Sequence, residues 1–118
     1  MLPEADKVRL RHMLDAAREA LGYVRGRSRL DLDRDTMFAR AVVRCLEVIG
    51  EAAARTGQDT RVRYHQLPWA EMVGMRNWLI HAYFDIDLDK VWATLTDDLP
   101  ALVRQLEAIQ ARETEGRR

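Results

Sequence analysis

One cysteine in 118 residues, Cys45, excludes an internal disulfide and a cysteine-rich metal site. It falls on the apolar stripe of a helix, where a small buried hydrophobe is expected rather than a nucleophile. Three scattered histidines, His12, His65 and His81, have no clustered carboxylate–histidine set around them, so no metal and no other cofactor is expected. No apolar run reaches membrane-spanning length and no signal peptide opens the chain, which makes the cytoplasm the expected compartment. The formal net charge is zero, so there is no global basic field to attract nucleic acid, and any such contact must rest on a local patch. Lysine is nearly absent: of 19 basic residues all but Lys7 and Lys90 are arginine. Strand-period segments, repeats and low-complexity tracts are also missing.

What remains reads as four helical stretches of one domain over residues 1–112, followed by a charged, frayed tail over 113–118. The first runs from about Pro3 to Val24 on a stripe of Leu10, Leu14, Ala17, Leu21 and Val24. A basic connector, Arg25-Gly-Arg27-Ser-Arg29, follows. The second begins near Asp33–Asp35, where acids suit the helix dipole, and ends near Thr56-Gly57. Its buried face is Phe38, Val42, Cys45, Ile49, Ala52 and Ala53. Arg40, Arg44, Glu47, Glu51 and Arg55 form a polar stripe, either a solvated, salt-bridged surface or a face toward a partner or cleft. Residues 57–67 read as a polar connection carrying Arg61 and Arg63. Leu67-Pro68-Trp69 opens the third helix, and Asp85-Ile-Asp87-Leu-Asp89 ends it and caps the next. Pro100 should kink or split the fourth helix, with Asp97 or Asp98 capping the second piece. The expected class is all-α, an up-and-down bundle of four to five helices.

The chemistry concentrates in residues 76–83, where Arg76, Asn77, His81 and Tyr83 fall within eight positions. A guanidinium can hold two phosphate oxygens and stay charged throughout a reaction. An imidazole titrating near neutrality can act as base or acid. Together these suit RNA cleavage without a metal, with Asn77 in support. Arg76 and His81 are five residues apart, roughly 140° around a regular helix, so one straight helix does not aim both at one phosphate. Either the helix distorts near its end, or two copies meet across a two-fold axis and complete one cleft; the dimer also doubles the positive charge. Considered singly, His81 could equally be an interfacial or core-edge histidine paired with Asp85 or a backbone carbonyl. His12 and His65 read as surface and loop residues.

Arg76-Asn77-x-x-x-His81-x-Tyr83 resembles the Arg-x4-His-x-Tyr signature of HEPN-domain ribonucleases of the HepT toxin type. Ile49-Gly-Glu-Ala-Ala53, Leu67-Pro-Trp69, Gly74-Met-Arg-Asn77, Val91-Trp92 and Asp98-Leu-Pro-Ala-Leu102 are similar to further segments of that family, in the same order. The resemblance implies a HEPN-like homodimer with the cleft at its two-fold interface. It also implies a metal-independent endoribonuclease, the toxin of a type VII-like toxin–antitoxin pair, with Arg76 and His81 catalytic. The partner implied is an ATP-using nucleotidyltransferase antitoxin that transfers AMP to Tyr83. Within that picture Glu51 either orients Arg76 or another cleft group through a salt bridge or is an exposed helix acid, and Arg25, Arg27, Arg29, Arg61 and Arg63 are the candidate RNA contacts. The alternative is a non-catalytic helical dimer that binds a nucleotidyltransferase or a nucleotide. DNA and membrane partners are not expected.

Overall fold

The computed structural model describes residues 1–81 and 85–115, and every regular element among them is helical. The elements are α1 (Glu4–Val24), α2 (Asp31–Arg34), α3 (Thr36–Arg55), α4 (Gln58–Arg63), α5 (Trp69–His81), α6 (Leu88–Ala93), a π-helical turn (Thr94–Asp98) and α7 (Leu99–Glu115). Four long segments therefore carry the bundle, and the short α2 and α4 occupy connections. α3 lies between α1 and α5, while α1 also packs against α7.

The helices form where period and caps agree. On α1, Met13, Leu14, Ala17 and Ala20 are buried at helical spacing, and the alanines let α3 approach closely. Asp35 caps α3 by accepting the Phe38 N–H, as its position ahead of the apolar run predicts. The expected face of α3 is buried as read, with Val43, Leu46 and Gly50 added to it. Asp87 caps α6 through the Lys90 N–H. His12 and His65 are exposed, as their positions suggested.

Four expectations change. The connection after α3 is not a polar loop: Gln58–Arg63 is helical, with Asp6 of α1 accepting the Gly57 N–H (3.2 Å) and the Thr60 hydroxyl (2.5 Å) at its start. The basic connector leads into the unforeseen helix α2, whose Leu32 is buried. Asp97 and Asp98 do not cap a second piece; they lie inside the π turn, where the Leu99 N–H bonds to the Thr94 carbonyl. Pro100 lacks an N–H and its ring clashes with the carbonyl four residues back, and a ladder already shifted by one residue accommodates both without ending the helix. The frayed tail is the fourth: α7 continues to Glu115 and Glu113 is a buried helical residue. It accepts a hydrogen bond from the Tyr64 hydroxyl and one from the Leu2 N–H at 3.0 Å, tying both chain ends to the turn after α4.

Candidate active site

The site is built where α3 and α5 touch. Gly50 is buried, and a Cβ at that position would lie 2.2 Å from Arg76 Cβ and 2.7 Å from the Met72 carbonyl oxygen. Only a residue without a side chain permits this approach. The next residue, Glu51, is thereby carried alongside Arg76. Arg76 donates from Nε and from a terminal nitrogen to the same oxygen of Glu51, each at 2.9 Å. Its other terminal nitrogen donates to Asn77 Oδ1 at 2.7 Å.

Glu51 offers its second oxygen to Arg55 Nε, also at 2.9 Å. The hydrogen bonds from Arg55 and then Arg76 hold the Glu51 carboxyl below the usual carboxylate range, against the opposing effect of burial. It is therefore an anion across the neutral range, and it fixes the Arg76 side chain without using all five of that residue's donors. What the arrangement offers chemically is an oriented, partly exposed guanidinium, suited to holding phosphate oxygens.

Among the sequence-nominated residues, Glu51, Arg76 and Asn77 are brought together. His81 is the last residue of α5. Tyr83 lies outside the described residues, as do residues 116–118 of the expected tail.

The candidate RNA contacts separate by their surroundings. Arg25 is exposed. Arg27 pairs with Asp35 at 3.2 Å and stacks 4.5 Å over Phe38, and Arg29 pairs with Asp89 and Asp33 at 2.7 and 2.8 Å. Arg63 lies 3.6 Å from Glu113 and against the Tyr64 ring. Arg61 turns inward and donates to the carbonyls of Ala53, Ala54 and Thr56, closing the C-terminal end of α3. Cys45 is buried within hydrogen-bond reach of Glu19, and burial first, then the Glu19 charge, push its thiol up to about 12, which leaves it no nucleophile. Among the described residues no group of three or more His, Cys, Asp or Glu could hold a metal ion, and no helix is long and apolar enough to cross a membrane.

Two contributors were not assigned roles from the sequence. Gly50 gives no local sign of its task, because the contact it allows is with a residue 26 positions away. Arg55 had a signal, its four-residue spacing from Glu51.

Comparison with known proteins places these residues in a family. The family model for HepT-like ribonucleases matches residues 13–109. A protein provisionally named an RNase in Caldanaerobacter subterraneus is 36% identical over 104 residues, covering 88% of this chain and 93% of the relative. A second protein so named, from Methanocaldococcus jannaschii, is 34% identical over 103 residues, 87% of this chain and 94% of its own length. A protein provisionally named ribonuclease HepT in Thermococcus cleftensis is 41% identical over 78 residues, 66% of this chain and 69% of the relative. No solved structure matches. With the family model reaching from within α1 to within α7 and including Arg76, the chain belongs to the HepT-like ribonuclease family.

Proposed function

We propose that this protein is a metal-independent endoribonuclease acting as the toxin of a type VII-like toxin–antitoxin pair. The observation that carries the reading is the fixed Arg76 guanidinium, held through the Glu51 carboxylate in a chain of the HepT-like family. In the reaction a base removes the proton of a ribose 2′-hydroxyl and the 2′-oxygen attacks the adjacent phosphorus. The bond from phosphorus to the 5′-oxygen breaks, and an acid returns a proton to that leaving oxygen. A 2′,3′-cyclic phosphate and a 5′-hydroxyl result. Arg76 would bind the nonbridging oxygens as charge builds on them, and His81 would carry protons. Asn77 would support Arg76.

A homodimer is part of the proposal. Five residues separate Arg76 and His81, roughly 140° around a regular helix, so one straight helix would not direct both at one phosphate. α5 has α3 as its principal packing partner, yet its apolar residues are spread around it: Met72 and Leu79 are buried, while Met75 and Trp78 are half-buried and Ile80 is exposed. A second copy would cover that surface and supply the complementary histidine. Tyr83 would be the off switch. AMP transferred from ATP by a nucleotidyltransferase antitoxin would place negative charge and bulk beside the cleft and repel RNA.

The deciding experiment compares cleavage of single-stranded RNA by wild type, His81→Ala and Arg76→Ala, each with and without chelator. Wild-type activity should survive chelation, and each substitution should lower it by about 100-fold or more. A folded His81→Ala protein that cuts at the wild-type rate would remove the catalytic assignment. An inert but folded wild type would instead favour the non-catalytic dimer. Intact-mass measurement after incubation with the nucleotidyltransferase and ATP should show an AMP increment that disappears in Tyr83→Phe.

A further inference from the structure

The Glu51 carboxylate holds two guanidinium groups, not one. Arg76 occupies one oxygen and Arg55 the other, each at 2.9 Å. We propose that Arg55 forms a second phosphate subsite, taking the RNA phosphate next to the one bound at Arg76; this rests on the ribonuclease reading above. Among the described residues Arg55 engages only Nε, which leaves its two terminal nitrogens and their four N–H donors for a ligand. Its side chain is 66% exposed, whereas that of Arg76 is 27% exposed, the contrast expected between a strand-tracking contact and a reaction-centre contact.

The charges favour the same conclusion. Two guanidinium ions against one carboxylate leave one positive charge in the cluster, on a chain whose formal net charge is zero. A single strand presents one phosphate per nucleotide, so two cations bridged by one carboxylate could each take one of two neighbouring phosphates. Arg55 has a competing explanation as an ordinary surface pair at the C-terminal end of α3, where a cation suits the helix dipole. That role affects stability alone and predicts nothing about RNA.

The test uses the full chain and a fluorescently labelled single-stranded oligoribonucleotide. Binding is measured in a His81→Ala background across a salt series, and cleavage kinetics are measured with His81 intact. Arg55→Ala should weaken binding several-fold and flatten the dependence of log K on log salt by about 0.7, the loss of one phosphate contact. It should raise KM by a similar factor and leave kcat within about twofold, with Arg55→Lys recovering most of the slope. Arg18→Ala is the control, since Arg18 is also exposed and also paired, with Glu107 at 2.6 Å, but between α1 and α7. Thermal unfolding of each variant verifies that it is folded. A wild-type salt slope and KM in Arg55→Ala would overturn the subsite. So would a fall in kcat with KM unchanged, which would make Arg55 a positioning residue acting through Glu51. A wild type that neither binds nor cuts RNA would overturn the ribonuclease reading and the subsite with it, whereas cutting without an Arg55 effect removes the subsite alone.

Discussion

Gly50 and Arg76 meet so closely that a Cβ on Gly50 would lie 2.2 Å from the Arg76 Cβ. One atom's absence on α3 thus sets the distance at which α5 packs. That distance lets Glu51, one residue further on, reach the Arg76 guanidinium at 2.9 Å.

Gly50→Ala should accordingly be a damaging change despite alanine's better helix propensity. Propensity would contribute about 1 kcal/mol in favour. The added methyl must displace the Arg76 Cβ and, at 2.7 Å, the Met72 carbonyl, so backbone has to move. Overpacking of this kind costs about 1–3 kcal/mol. Urea unfolding should show a lower midpoint with little change in slope, and RNA cleavage should fall further than stability does, because Arg76 loses its anchor.

Arg61→Ala should lower stability and leave RNA affinity unchanged. Its guanidinium closes three carbonyls at the end of α3, at 2.9, 2.9 and 3.1 Å. Losing charge-assisted bonds to partly buried carbonyls costs about 1.5–3 kcal/mol. Anisotropy titration with labelled RNA, beside thermal unfolding, separates this role from that of a surface phosphate contact.

The Tyr64–Glu113 pair should shape the pH profile of stability. Burial alone would raise the Glu113 carboxyl, but the Tyr64 hydroxyl, the Leu2 N–H and the charges of Arg63 and the amino terminus outweigh it and hold the group below its ordinary value. A folded-state pKa below the unfolded one contributes stability that is present above the unfolded value and lost as pH falls through the folded value. Tyr64 is shifted the other way, up from 10.0, by burial and then by Glu113. Its contribution is present below the unfolded value and lost as pH rises through the folded one. Melting temperature should therefore be level from about pH 5 to 9 and fall on both sides. Glu113→Gln should lower the plateau and flatten the acid limb; an unchanged acid limb would place the acid sensitivity elsewhere.

Cys45 should resist alkylation in the native protein. Its thiol is buried and pushed up to about 12, so almost no thiolate exists at pH 8. Iodoacetamide labelling followed by mass measurement should rise with denaturant along the global unfolding transition. Labelling before that transition would mean that α3 opens locally.

What the sequence determined by itself is everything encoded within a few residues. The apolar period of α1 and α3, the capping positions of Asp35 and Asp87, and the Glu51–Arg55 spacing all act over three or four positions, where backbone geometry alone dictates which side chains are neighbours. The grouping of Arg76, Asn77 and His81 is local in the same sense, which is why it was legible as chemistry. Tertiary structure decided the rest. It paired Glu51 with Arg76, turned Arg61 inward onto α3 and buried Glu113 against Tyr64. It also placed a π turn ahead of Pro100 where a capped break had been expected. These outcomes depend on residues 8 to 49 positions apart, or on how a helix must bend to stay packed. No local period carries that information, because close packing decides which distant side chains meet and whether a methyl group has room between them.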